Sequence, residues 1–414
     1  MEPLLRLRGT VQHYEWGGHD LIPGLLGVDN SEKRPYAELW IGAHPKAPSL
    51  VVSRDPAEPL DSLIARHPRE ILGDEAAGRF KGRLPFLLKV LDARSMLSIQ
   101  AHPDKRQAEE GFARENASGL DPIASRRNYK DDNHKPEAHV ALTDLWMLHG
   151  FRPVEEIAQL FQDTPELSAL MPDFASLKED ATRAEERDAL LKRLYSVAME
   201  MPQEKVDEVL NGLLGRLRRQ GRSDKDTPDY WALRAAQEFP MPNGHVDRGI
   251  FSIYLLNLLR LRPGQGTYQP AGVLHAYLEG ANVEVMASSD NVLRGGLTPK
   301  HVDVPELLRV LKFTGGKPEI LAGEAISPAE RIYRTPSREF QLSMINVSQD
   351  VGHSGLTSRG PDALIVLEGR IRVSAKGFSV DAERGGALLV PYGVMYGVDA
   401  LTERGVVCRA GVPA

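Results

Sequence analysis

A single cysteine, Cys408, is all that the 414 residues carry. That excludes an internal disulfide framework and leaves no thiolate cluster for a structural metal, and it fits a reducing compartment, so a cytoplasmic protein is expected. An excess of positive charge is missing too. The net charge is −6 and the one basic cluster, Arg216 to Arg222, is short, so no electrostatic footprint for DNA or RNA exists. No run approaches the roughly 20 apolar residues that span a bilayer. The start, Met1-Glu2-Pro3-Leu4-Leu5-Arg6, lacks a basic segment followed by a long apolar one, so no export signal is expected. A glycine-rich nucleotide-binding signature of the P-loop or Rossmann type is also absent. What remains is an ordinary composition, 42% hydrophobic and 26% charged. A chain of this length buries large cores and should hold two or three domains.

The texture of the chain changes twice. Up to about residue 150, short apolar runs such as Pro85-Phe86-Leu87-Leu88-Lys89-Val90-Leu91 alternate with Gly, Pro and Asp/Asn turns, which is the punctuation of all-β structure. From Arg152-Pro153 to about Glu238 glycines are scarce and apolar residues recur at helical spacing, as in Val206, Val209, Leu210, Leu213 and Leu214. The charged run Lys178 to Arg193 inside this segment reads as a solvated helix face. After Pro242-Asn243-Gly244 the β texture returns. Ile253 to Leu261 reads as a buried strand, and Ala363 to Val373 as a hairpin through Glu368-Gly369.

An internal echo links the two β segments. Gly264, Pro270, Gly272 and His275 are spaced as are Gly385, Pro391, Gly393 and Tyr396, 121 residues later. This spacing resembles the second conserved motif of cupins, where glycine and proline turns leave a terminal histidine facing into a small β-barrel. The second copy ends in tyrosine. A metal is therefore expected in the first barrel and not in the second.

Gln100 and His102 stand two apart in an apolar, strand-like run, and alternate residues of a strand share a face. Asn133-His134-Lys135-Pro136-Glu137 offers a carboxylate, and His275 a second imidazole. Two imidazoles, an amide oxygen and a carboxylate suit a borderline cation such as zinc and leave room for water or substrate, as a catalytic site requires. Singly, each has an ordinary structural explanation; jointly they favour metal. Arg294, ahead of two glycines, offers a planar fork for an anion, and Lys300 a point charge. Lys89, alone in its apolar strand, needs a partner or a wet cleft.

The segments Gln100-Ala-His102-Pro-Asp-Lys105, Asn133-His-Lys-Pro-Glu137, Leu274-His275-Ala-Tyr277 and Ser289-Asp-Asn-Val-Leu-Arg294-Gly-Gly-Leu-Thr-Pro-Lys300 resemble the signatures of type I mannose-6-phosphate isomerases. Tyr14-Glu-Trp-Gly-Gly18 and Ala37-Glu-Leu-Trp-Ile-Gly-Ala-His-Pro45 agree, and the likeness runs to about Lys300 with the helical segment interrupting it. Gly295 departs mildly, since relatives often have alanine there. Asn128-Tyr129-Lys130-Asp131-Asp132 is a looser match.

The resemblance implies a mainly β protein of two cupin-like (jelly-roll) domains and a helical one. The expected bounds are 1–151 with 246–314 for the catalytic domain, 152–245 for the helical domain, and 315–414 for a cupin-like domain without metal ligands. It implies one zinc ion per chain on Gln100, His102, Glu137 and His275, with Arg294 essential. Ser98, Lys89, Lys135, Lys300 and Tyr277 are implied as substrate-contacting. The partner is a small sugar phosphate, taken by a monomer or, alternatively, a dimer.

Interconversion of mannose 6-phosphate and fructose 6-phosphate moves a proton between C1 and C2 through a cis-enediol. Lys135 and Glu284 are the expected bases, with His134 a third, because burial or a nearby cation brings such groups toward neutrality. Other readings stay open: an isomerase of another or unphosphorylated sugar, a non-catalytic cupin that binds sugar phosphate, or an iron oxygenase.

Overall fold

The computed structural model describes residues 2–53 and 55–413. Its spine is a pair of long antiparallel strands, Phe86–Ala93 and His275–Ala287, in register from Phe86 opposite Ala287 to Ala93 opposite Gly280. They pack on both faces. Phe86, Leu88, Val90, Val283 and Val285 point into a core shared with Leu342, Met344, Ile365, Leu389 and Cys408 of the C-terminal segment. Their alternates, Lys89 and Glu284 among them, point the other way. Burial on both faces explains the near-continuous apolarity of these runs, and it isolates the polar residues that interrupt them.

Around this pair a ten-stranded sheet runs Leu256–Leu261, Leu145–Phe151, His275–Ala287, Phe86–Ala93, Glu38–Gly42 and Thr10–Gln12, and Gln100–Ala101, Glu137–Ala141, Gly266–Gln269 and Leu293–Arg294 attach to it. Strand His275–Ala287 pairs with Leu145–Phe151 in its first part and with Glu137–Ala141 in its second. Gly280 lies between these two pairings, at φ +120°, with the Asp144 carbonyl where a Cβ would stand. No side chain fits there.

Nine strands, from Glu324–Ala325 to Glu58–Pro59, form a second sheet, which takes in Leu5–Arg8 beside Ala387–Val390. Four more, His353–Thr357, Met395–Ala400, Arg370–Ala375 and Phe378–Glu383, form a third. The helices between Val154 and Leu255 enclose their own core around Tyr195, Leu213 and Trp231, and this core also takes in Ile99, Ala101, Leu274 and Leu293. The helical segment thus braces the strands that carry the chemistry. Among the described residues no helix is long and apolar enough to cross a membrane.

Several local expectations change. The first segment is not purely β: Leu21–Leu26, Leu60–Arg66, Pro68–Leu72, Asp74–Arg79 and Lys105–Ala117 are helices. The last of these is announced by Asp104, which caps the amide of Gln107 while Gln107 caps that of Asp104. The run read as one strand is a helix, Gly249–Leu255, followed by a strand, Leu256–Leu261. Continuous apolarity does not separate a buried helix from a buried strand. Gly369 does not close a hairpin, because Asp362–Glu368 belongs to the nine-stranded sheet and Arg370–Ala375 to the four-stranded one. At φ +73° it turns the chain from one sheet to the other.

Candidate metal centre

Register builds the site. Arg294 pairs with Gln100, Gln100 with His275, and His275 with His149. Residues directly opposite one another in a sheet share a face, so these four side chains form one row. His102 differs from expectation: the strand ends at Ala101, and His102 lies just beyond it. Its imidazole is fixed all the same, with Nδ1 2.7 Å from the Asn291 carbonyl. His275 Nδ1 is 3.1 Å from the Val273 carbonyl.

A carbonyl only accepts, so both Nδ1 atoms carry the proton and both Nε2 atoms present lone pairs. These two Nε2 atoms are buried and make no hydrogen bond. They lie 3.4 and 3.2 Å from Glu137 Oε1 and Oε2. Lone pairs facing a buried carboxylate repel one another unless a cation stands among them. The three ligand atoms lie within 4.8 Å of one another. This donor set fits a borderline divalent cation such as zinc, and Gln100, half-buried beside His275, offers a fourth ligand.

Electrostatics agree with that fit. Burial, then the Lys135 charge, pushes the His102 imidazole down to about 4, the neutral form a metal requires. Burial works to raise the Glu137 carboxyl, but Lys135 and the histidines outweigh it and hold it well below the usual range. The Lys135 ammonium is 2.7 Å from Glu137 Oε1.

Next to this row runs another. Trp40, Lys89, Glu284, His139 and Thr267 are paired in succession across four strand pairs. Lys89 Nζ lies 3.3 Å from Glu284 and 3.7 Å from Glu38. These carboxylates overcome the burial that would discharge the ammonium and raise its pKa. Burial and the Glu137 charge push Glu284 up, against Lys89 and Lys135. Glu284 also accepts a hydrogen bond from Tyr277 Oη at 2.8 Å. Tyr277 is 2% exposed, so its hydroxyl is engaged inside the protein. Gln269 links it to His139.

Asn291 ties the rim together. Its amide nitrogen donates to the carbonyls of Asp131 and Asn133, each at 2.8 Å, and its oxygen accepts from the amides of Lys130 and Asp131. Arg294 is half-buried and Lys300 exposed. Ser98 is half-buried between Leu97, bonded to Tyr277, and Ile99, bonded to Gly296. The Gly295 departure has a local reason: a Cβ there would stand 3.1 Å from the Tyr195 hydroxyl and 3.2 Å from Ile99. His134 Nε2 lies 2.8 Å from Glu339 of the C-terminal segment. Sequence reasoning missed Glu38, His139, Gln269 and Asn291. The signal was available for the first three, as polar residues at alternate positions of apolar strands.

The chain from residue 4 to 154 matches the model of the phosphomannose isomerase type I catalytic domain. Mannose-6-phosphate isomerase of Salmonella typhimurium is 39% identical over 342 residues, 82% of this chain and 83% of that protein. The chain belongs to the mannose-6-phosphate isomerase family. Membership makes it an enzyme. The human mannose-6-phosphate isomerase is 34% identical and is matched over 92% of both chains. Among solved structures of the family, the S. typhimurium enzyme bound to its substrate (f6p) and to zinc superposes with a TM-score of 0.86, at 33% identity and over 100% of both chains.

Proposed function

We propose that this protein interconverts D-mannose 6-phosphate and D-fructose 6-phosphate through a cis-enediol, with one zinc ion held by Gln100, His102, Glu137 and His275. The observation that carries the reading is the pair of buried, unpartnered Nε2 atoms facing Glu137. When bound, zinc supplies Lewis acidity toward the sugar's oxygens at C1 and C2. Arg294, in register beside Gln100, turns a guanidinium toward the same oxygens and stabilises negative charge as it develops there. We assign the proton transfer between C1 and C2 to Lys135 and Glu284. Lys135 adjoins a metal ligand, and Glu284 has a carboxyl raised by burial and held by Lys89 and Tyr277. Lys89 and Tyr277 are then positioning residues for Glu284. Ser98 and Lys300 are assigned to the phosphorylated end.

The same reading extends to architecture. We infer two cupin-like barrels, 1–151 with 246–314 and 315–414, and a helical domain, 152–245. The support is that Gly264, Gly272, Gly385 and Gly393, the glycines of the two echoed segments, all take left-handed φ between +71° and +86°.

A coupled assay with mannose 6-phosphate, run on purified protein before chelation, after it, and after zinc is added back, tests the function. Turnover should disappear and return. Turnover that survives chelation, or that is confined to an unphosphorylated sugar, overturns the reading.

A further inference from the structure

The C-terminal segment holds a cavity of about 330 Å³, and none of the residues assigned above to metal, substrate or proton transfer lines it. Strand register builds it. Gln341, Gly411 and Asp362 lie opposite one another across strands Gln341–Ser348, Arg404–Gly411 and Asp362–Glu368, and Ser343 and Arg409 form the next row on the same face. Gly411 leaves the middle of its row open, because Asp362 Oδ1 lies where a Cβ would stand. A larger residue there would displace the carboxylate. Arg334, Thr357 and Arg359 complete the polar lining.

Three guanidiniums and one carboxylate therefore line a single cavity. Arg409 donates from Nε to Ser343 Oγ at 3.1 Å and sets Nη2 2.8 Å from Glu330, while Nη1 stands 3.8 Å from Asp362, too far for a hydrogen bond. Arg334 meets Glu324 at 2.6 Å in an exposed pair, and such pairs contribute little. Arg359 is exposed and, among the described residues, makes no ion pair within 4.0 Å. Arginines so placed favour an anion. The Asp362 carboxylate repels a bare anion but accepts from a hydroxyl, as Gln341 and Thr357 also can. A ligand that satisfies the whole lining has an anionic end and hydroxyl groups. The volume lies at the small end of the roughly 300–1,000 Å³ of ligand sites, so the ligand is compact.

We propose that this cavity is a second ligand site, separate from the metal row, for a small hydroxylated anion of the class of sugar phosphates or sugar acids. Arg359 and Arg334 take the anionic end, and Asp362, Gln341 and Arg409 take the hydroxyls. The site goes beyond the isomerase reading and does not rest on it.

Isothermal titration calorimetry of the zinc-loaded enzyme tests the proposal, with glucitol 6-phosphate, which has no carbonyl to isomerise, and gluconate as separate titrants. At least one should occupy a site that Arg359→Ala weakens by about tenfold or more, the range of one charge-assisted hydrogen bond. Arg359→Lys should recover part of that loss, and kcat/KM with mannose 6-phosphate should stay at the parent value in both variants. A loss confined to glucitol 6-phosphate identifies a phosphate ester as the ligand, and one confined to gluconate a carboxylate. Titrants that bind neither protein, or bind parent and Arg359→Ala alike, overturn the proposal. So does a loss of affinity matched by a loss of kcat/KM, which would put the titrant in the metal row. If Arg359→Ala does not fold, Arg334→Ala carries the same readout.

Discussion

At Gly264 and Gly272, and again at Gly385 and Gly393, the backbone takes left-handed turns, and a ring side chain follows at the same spacing in each. In the first region that side chain is His275, whose Nε2 has no partner. In the second it is Tyr396, whose hydroxyl donates to Asp362 at 2.7 Å. Around Tyr396 the buried charges meet one another. Arg409 lies 2.8 Å from Glu330 and 3.8 Å from Asp362, and Glu330 is also bonded to Ser343 at 2.6 Å and His353 at 2.7 Å. A fixed guanidinium compensates the carboxylates of the second region, whereas the first leaves lone pairs exposed to one another. What marks a ligand site is less the presence of His and Glu than the absence of anything in the protein to satisfy them.

The largest effect that would break this comparison comes from Glu137→Gln. Loss of the charge between the two Nε2 atoms should strip zinc and lower kcat/KM by about a thousandfold or more, roughly 4 kcal/mol of transition-state stabilisation. Metal analysis beside the kinetics checks it. The matching change in the second region, Asp362→Asn, should leave kcat/KM and zinc content unchanged. A variant at Glu137 that keeps both metal and turnover would erase the distinction between the regions.

Arg409→Met asks the reverse question. It leaves Glu330 and Asp362 buried without their cation, which should cost about 3–5 kcal/mol of stability, read as a lower denaturant midpoint. The kcat/KM of the folded fraction should not move. A loss of activity without a loss of stability would mean that the second region does more than support the first.

How much of this was legible beforehand follows from the same physics. Gln100, His102, Glu137, His275 and Arg294 stood out because polar residues in apolar strands need a reason to be there. Their register was not legible, since strand pairing across more than a hundred residues is a tertiary fact. Lys89 was suspected as a lysine in need of a partner, but Glu38 and Glu284 as those partners emerge only when Phe86–Ala93 lies between their strands. The helix at Gly249–Leu255 was hidden because an apolar run carries no period. The shared core, with Val90 facing the same interior as Cys408, was hidden because each strand's two faces are apolar for different neighbours.

Proton linkage gives the smallest and most selective effect, because the two regions should respond to acid with opposite sign. Burial raises the Asp362 carboxyl from 3.8 to about 6, against the pull of Arg409 and Tyr396. Its contribution to stability is complete below the unfolded value and is lost as pH rises through about 6. Burial lowers the His149 imidazole from 6.5 to about 4. Its contribution is complete above 6.5 and is lost as pH falls through about 4. Between pH 6.5 and 4, then, acidification should strengthen the second region and weaken the first, by about 2 kcal/mol each. Denaturant unfolding across that window, on Asp362→Asn and His149→Gln beside the parent, separates them. The stability advantage of the parent over Asp362→Asn should grow as pH falls, and its advantage over His149→Gln should shrink. Slopes of the same sign would mean that one of the two groups is not buried in the state its surroundings imply.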